Sequence, residues 1–149
     1  MTVQMLVRKV LVVCVGNICR SPVGEHLLRQ MVPGLDVGST GLGAMVGQPA
    51  EALAAEVAAA NGVSLDGHVA RQFTPELGSA HDLLLVMEPD HKREIARLAP
   101  HLSGRTLLFD QWTGMQGIAD PYRRSREFHE GVFRQIRVAS VAWAERLKR

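Results

Sequence analysis

Hydrophobic residues along the chain form two kinds of pattern, short unbroken runs and longer stretches with a repeat of three to four residues. The unbroken runs at residues 10–13 and 83–86 have the length of buried strands in a parallel sheet. Two further short strands are predicted at residues 35–39 and 105–109. The pattern therefore predicts four strands.

Helices are predicted between and after these strands, at residues 23–31, 49–61, 89–98 and 125–147. Strands that alternate with helices in short units are typical of a parallel sheet covered on both faces. The sequence thus predicts the α/β class, as a single domain over residues 1–149, because this length supports one core and leaves little for a second. The last helix is expected to bury a stripe formed by Phe128, Val132, Ile136, Ala139, Trp143 and Leu147.

Composition and charge exclude several classes of protein. A hydrophobic content of 46% with 21% charged residues is ordinary for a soluble globular protein, and a net charge of +2 is too small to indicate nucleic-acid binding. No apolar stretch has the length of a membrane span, and the first nine residues lack a secretory signal, so a cytoplasmic protein without stable membrane insertion is expected. Locally, Arg123, Arg124 and Arg126 are either an attractive surface for an acidic peptide or a solvated helix start.

The junction between the first strand and the first helix is the most informative segment. The strand ends at Cys14, a short loop follows, and a helix is predicted to begin near Ser21 and Pro22, with Ser21 as N-cap. Gly16 and Asn17 are expected to supply unusual backbone angles in the loop. The loop amides and the positive end of the helix should converge on one small volume, which suits an oxyanion.

Cys14 opens this loop and Arg20 closes it, with five residues between them. A thiolate at Cys14 is favoured by the helix dipole, by Arg20 and by a hydrogen bond from the Ser21 hydroxyl. A guanidinium can bind two oxygens of one phosphate. The pattern therefore favours a thiol phosphatase over the alternative, a buried structural cysteine. Phosphate would be bound by Arg20 and by the backbone of Val15, Gly16, Asn17, Ile18 and Cys19.

Residues 13–22, Val-Cys-Val-Gly-Asn-Ile-Cys-Arg-Ser-Pro, resemble the signature of the low-molecular-weight protein tyrosine phosphatases. The similarity runs from about Lys9 to about Leu147, and the segments Gly-Leu-Gly-Ala-Met-Val-Gly and Asp-Pro-Tyr-Arg resemble the bacterial branch. The resemblance implies a four-stranded sheet and a phosphotyrosine protein as substrate, with the tail of a bacterial tyrosine kinase of exopolysaccharide or capsule export as partner. It implies no cofactor and no metal, because Arg20 and the amides stabilise the charge.

The same resemblance assigns the remaining cleft residues. It makes Asp120 the general acid, although an Asp-Pro dipeptide is also a common turn signal. It makes Tyr122 a flank of the cleft. An aliphatic side chain from the glycine-rich segment would form the other wall, with Met45 as the first candidate and Leu42 as the second.

Two further groups of residues follow from the resemblance. The family braces its loop with a histidine, the loop asparagine and two serines, which here are His68, Asn17, Ser21 and Ser39. The family also forms a reversible disulfide between the nucleophile and a neighbouring cysteine, which here is Cys19. The alternative for Cys19 is a small buried apolar residue, and the spacing of the two cysteines does not match a zinc site.

Three alternative functions share features with this sequence. Arsenate reductases of this type need additional cysteines downstream, and the sequence contains none. Protein arginine phosphatases characteristically carry threonine at the position of Ile18, so isoleucine favours the tyrosine enzymes. A phosphotyrosine-binding module without turnover is the third alternative, which hydrolysis of an aryl phosphate would exclude.

Overall fold

Four parallel strands form the centre of the structure, in the order β2-β1-β3-β4. The computed structural model describes residues 6–148. The strands are β1 Lys9–Cys14, β2 Asp36–Gly41, β3 Leu83–Val86 and β4 Thr106–Leu108. The predicted α/β class and the four strands are confirmed. The proposed limits of the domain stay a prediction, because residues 1–5 and 149 lie outside the described residues.

The first strand is central and pairs with a neighbour on each side. Val10 is level with Val37 of β2 and with Leu83 of β3. Residues 10–13 are each 0% exposed. A parallel strand buried on both faces needs apolar side chains at every position, which explains the unbroken run. The register also brings Cys14, the last residue of β1, level with Gly41 at the same edge of the sheet.

Helices cover both faces of the sheet. They are α1 Arg20–Met31, α2 Ala52–Ala60, α3 Pro75–Ser79, α4 Pro89–Leu98 and α5 Arg126–Leu147, and a 3₁₀ helix spans Pro100–Arg105. One core cluster joins Val10 and Val12 to α1, α2 and α5, including Trp143. A second cluster joins Leu11 and Val13 to α4 on the opposite face. Among residues 6–148, no helix combines the length and the hydropathy of a membrane span.

The predicted start of the first helix near Ser21 agrees with the structure to within one residue, but the predicted N-cap, Ser21, was wrong by two residues. The helix begins at Arg20, and Cys19 occupies the N-cap without a side-chain capping bond. The Ser21 hydroxyl does not cap the helix because it bonds the Asn17 side chain and the Cys14 thiol instead. The short helix α3 and the 3₁₀ helix were not predicted, since five or six residues are too few to show a helical repeat.

Candidate active site

The Cys14 thiol lies at the carboxyl end of β1 and at the amino end of α1. The residue is 2% exposed, and its Sγ is 2.9 Å from the Oγ of Ser21 in the first turn of α1. No acidic side chain occupies that first turn. The positive end of the helix dipole therefore acts on Cys14 without a neighbouring carboxylate on the same turn.

Residues 14–20, called here the phosphate loop, have their carbonyl groups bonded to the surrounding structure. Five consecutive carbonyls accept hydrogen bonds from outside the loop. In a planar trans peptide the C=O and N–H groups point in opposite directions, so the amides of residues 15–19 face away from these partners. The bonds are Leu42 N to Cys14 O (3.0 Å), Gly43 N to Val15 O (3.0 Å), Met45 N to Gly16 O (3.0 Å), His68 Nε2 to Asn17 O (2.6 Å) and Glu51 N to Ile18 O (2.8 Å).

Asn17 holds the turn of this loop. Its φ is 58°, in the left-handed region that asparagine tolerates better than most residues, and it is 0% exposed. Its Nδ2 donates to Ser21 Oγ at 2.7 Å and to Ser39 Oγ at 3.0 Å. Its Oδ1 accepts from Arg71 N at 3.0 Å. The structure thus brings the predicted brace residues, including His68, into one hydrogen-bonded group.

Glu25 extends this group and was not predicted. Ser39 Oγ donates to Glu25 Oε1 at 2.5 Å, and the other carboxylate oxygen pairs with Arg29 at 2.6 Å. Since Ser39 gives its only proton to Glu25, it accepts from Asn17, and Asn17 then donates to Ser21. Ser21 is left free to donate to the thiolate. One feature of the sequence could have indicated that Glu25 belongs to this group: its four-residue spacing from Ser21 places both on one helix face.

Arg20 is buried and held through one of its terminal nitrogens. Nη1 donates to Glu88 Oε2 at 2.7 Å and to the carbonyl of Ile118 at 2.6 Å. Nη2 is 3.7 Å from Asp120 Oδ2. Among residues 6–148, no partner accepts a hydrogen bond from the buried Nε. Glu88 was missed, although it closely follows β3, whose carboxyl end lies beside that of β1.

His91 lies beside this ion pair as a neutral imidazole. Burial lowers the pKa of His91 to about 4, with a further contribution from the Arg20 guanidinium, while Glu88 and Asp120 act in the opposite direction. Its Nδ1 accepts from the backbone N–H of Glu88 at 3.2 Å. At neutral pH, Arg20 therefore faces the Glu88 carboxylate without competition from a second cation.

Asp120 enters the cleft from residues 110–125, called here the acid loop. Its Oδ1 accepts from Tyr122 N at 3.0 Å, and its side chain is 46% exposed. Tyr122 is half-buried and packs against Ile18 and its neighbours. The cleft has a volume of 190 Å³ and is lined by Cys14, Val15, Gly16, Ile18, Cys19, Arg20, Gly43, Met45, Asp120 and Tyr122.

The two candidates for the second cleft wall behave differently. Met45 lines the cleft and is 40% exposed. Leu42 does not line it, and this prediction was wrong. Its side chain packs against the core cluster that contains Leu11 and Val13, because burial beneath the sheet removes more apolar surface from water than the cleft edge offers.

Cys19 is buried as well, and both cysteines are free. Burial raises the pKa of the Cys19 thiol, and the Glu51 carboxylate and Cys14 add to this effect, while Arg20 opposes it. The Cys19 Sγ lies 3.8 Å from Glu51 Oε2. A protonated thiol is a weak nucleophile. The disulfide with Cys14 stays a prediction.

Known proteins are similar to this chain along almost its whole length. Residues 9–149 match the family described as low molecular weight phosphotyrosine protein phosphatase. The protein-tyrosine-phosphatase Etp of Escherichia coli K12 is 47% identical over 146 residues, which covers 98% of this chain and 99% of Etp.

Solved structures give the same picture. The tyrosine phosphatase Wzb of Escherichia coli K30, in complex with sulphate, superposes with a TM-score of 0.94 at 45% identity, covering 95% of this chain and 99% of Wzb. The arginine phosphatase YwlE superposes with a TM-score of 0.88 at 26% identity, covering 93% of this chain and 95% of YwlE. The fold is therefore shared by enzymes of two specificities.

Proposed function

The chain belongs to the low molecular weight phosphotyrosine protein phosphatases, and on that premise we propose that it hydrolyses phosphotyrosine in proteins through a cysteinyl-phosphate intermediate. The observation that carries the proposal is a single cleft lined by Cys14, Arg20 and Asp120. A nucleophile, a cation and a carboxyl group meet there, which is the set that this reaction needs.

Phosphate is held by the phosphate loop and by Arg20. The amides of residues 15–19 face away from their bonded carbonyls, and Arg20 Nε is a buried donor without a protein partner in residues 6–148. Glu88 and the Ile118 carbonyl fix the other side of the guanidinium. These donors are in place before the substrate arrives, so little reorganisation is needed as charge develops on the phosphoryl oxygens.

In the first step the Cys14 thiolate attacks phosphorus in line with the tyrosine oxygen. A sulfur–phosphorus bond forms, the bond from phosphorus to the phenolic oxygen breaks, and protonated Asp120 gives its proton to the leaving oxygen. A phenolate is a poor leaving group, so this proton transfer matters most for phosphotyrosine itself.

In the second step Asp120, now a carboxylate, takes a proton from a water molecule that attacks the cysteinyl phosphate. The sulfur–phosphorus bond breaks and inorganic phosphate leaves. The Ser21 hydroxyl, 2.9 Å from Sγ, stabilises the departing thiolate by donating a hydrogen bond.

Specificity for tyrosine over arginine is proposed to come from the cleft wall. Ile18 lines the cleft, as do Met45 and Tyr122, so an aryl ring would contact apolar surface. A phosphoarginine substrate would place a cationic guanidinium against the same side chains, which offer it no hydrogen-bond acceptor at Ile18.

We further propose the autophosphorylated tail of a bacterial tyrosine kinase of exopolysaccharide export as the substrate, and a cytoplasmic location. The support is the similarity to Etp and Wzb across almost the whole chain.

The test is hydrolysis of a phosphotyrosine peptide and of a phosphoarginine peptide with the same flanking sequence, in a chelator. We expect release from phosphotyrosine, and a loss of roughly 10⁴-fold or more in Cys14→Ser. Cys19→Ser, which removes the other thiol, should retain measurable turnover.

Other outcomes identify the alternatives. Preference for phosphoarginine would assign the chain to the arginine phosphatases, and Ile18→Thr should then increase it. Binding of phosphotyrosine without hydrolysis would indicate a binding module.

A further inference from the structure

Arg123 occupies a backbone position that favours glycine. The turn that contains it is closed by a hydrogen bond from Arg124 N to Pro121 O at 2.9 Å, and Arg123 has a φ of 62°. The left-handed region at this turn position disfavours side chains with a Cβ. A residue kept in such a conformation beside a functional site points to a use for its side chain.

The Arg123 side chain is oriented by its contact with Tyr122 in the cleft wall. Its guanidinium carbon lies 5.2 Å from the centroid of the Tyr122 ring, and Tyr122 lines the cleft. A cation over an aromatic face is attracted by the ring and limited in orientation. The strained turn and the ring therefore hold a positive charge next to Tyr122, one of the residues that line the cleft.

The charge of Arg123 is unpaired within the part of the chain that the structure describes. Arg123 is exposed, and it takes part in none of the ion pairs formed within residues 6–148. By contrast, Arg126 lies 3.5 Å from Glu56. Asp120, the carboxylate among the cleft-lining residues, already faces Arg20 Nη2 and accepts from Tyr122 N.

We propose that Arg123 binds a carboxylate side chain next to the phosphotyrosine of the substrate, and so makes the enzyme prefer acidic sequences. This inference rests on the proposed function. The phosphate lies at the base of the cleft, so the residues that flank phosphotyrosine remain at its mouth, beside Tyr122 and Arg123. A guanidinium offers a planar pair of donors that matches a carboxylate.

The experiment measures kcat/KM for three phosphotyrosine peptides with acidic, neutral or basic flanking residues, and for a small aryl phosphate that reports on the cleft alone. The variants are Arg123→Gly, Arg123→Lys and Arg137→Gln. Arg137 is the matched control, because it is also an exposed arginine over an aromatic ring, Phe133, but lies within helix α5.

The wild type should prefer the acidic peptide. In Arg123→Gly the ratio of kcat/KM for the acidic and neutral peptides should fall about three- to five-fold, chiefly through KM, without a lower melting temperature. Arg123→Lys should keep most of the preference, and the preference should vanish in about 1 M salt.

Equal losses on the acidic and neutral peptides, or the same change of ratio in Arg137→Gln, would overturn the inference. The first would mean damage to the cleft, and the second an effect of net charge. Failure of the proposed function looks different, since the wild type would then hydrolyse none of the phosphotyrosine peptides.

Discussion

The phosphate loop and the acid loop border the same cleft but are held in opposite ways. Cys14, Asn17 and Arg20 are at most 2% exposed, and five carbonyls of the phosphate loop are bonded to its surroundings. The acid loop is anchored at its base, where Asp110 accepts from Gly117 N at 3.0 Å. Its tip is open, and the Asp120 side chain is 46% exposed.

The difference follows from what each loop would bind. A phosphoryl group is the same in every phosphotyrosine substrate, so its donors can be buried and fixed in advance. The leaving group belongs to a protein chain that must enter and depart. A buried acid would block that passage. Changes in the phosphate loop should therefore affect all substrates alike, whereas changes in the acid loop should depend on the substrate.

The largest effect expected in the acid loop is that of Asp120→Ala. Turnover of a phosphotyrosine peptide should fall about 10²- to 10⁴-fold, because the leaving oxygen loses its proton donor. An aryl phosphate with a good leaving group should lose far less, and the melting temperature should not change because the side chain is half exposed. Steady-state kinetics on both substrates measure this. Equal losses of turnover on the two substrates would show that Asp120 is not the general acid.

Asn17→Ala should show the opposite pattern in the phosphate loop. Three hydrogen bonds of the side chain disappear and Ser21 and Ser39 lose their shared donor, so kcat should fall on the order of 10²-fold for good and poor leaving groups alike. The free energy of unfolding should fall by about 2–4 kcal/mol, as read from urea denaturation. A leaving-group dependence would contradict a purely positioning role.

Substitution of Glu25 tests whether a residue without direct contact to the Cys14 thiol affects catalysis through the hydrogen-bonded brace. Without its acceptor in Glu25→Leu, the Ser39 hydroxyl can turn its proton away, so kcat should fall about ten-fold and the pH profile of kcat/KM should shift. Glu25→Gln keeps an acceptor oxygen and should retain most of the activity. Equal losses of activity in the two variants would mean that packing or charge, and not the acceptor oxygen, explains the lower kcat.

His91 should affect stability rather than chemistry. Its pKa is about 4 in the folded protein and near 6.5 when unfolded, so the unfolded state binds the extra proton between these values. Stability should therefore fall as the pH drops from about 6.5 to about 4, by at most about 3 kcal/mol from this group. His91→Gln should flatten that slope in denaturation curves.

Part of the slope should remain in that variant. Burial also lowers the pKa of His26 and of His81, which gives both the same sign of pH dependence. An unchanged slope in His91→Gln would mean that His91 is not the group responsible.

The strands of the sheet could be predicted from local pattern alone, because a strand buried on both faces must be apolar at every position. The four-residue strand β3 and helix α4 lie where the pattern of residues 83–98 predicts them. The segment from Cys14 to Ser21 also carries its chemistry locally, since only five residues separate the nucleophile from the cation. Local spacing was enough for these features.

The distant groups that support that segment became apparent only from the folded chain. Arg71 and Glu88 lie far from the loop in the sequence, yet they bond Asn17 and Arg20. Glu25 lies nearer, on helix α1, but no distinctive motif predicts its hydrogen bond with Ser39. Leu42 and Met45 show the same limit, because both are apolar and three residues apart, yet one packs beneath the sheet and the other faces the cleft. In such loops, long-range contacts decide which side chain is buried and which partner it bonds, and no local pattern encodes those contacts.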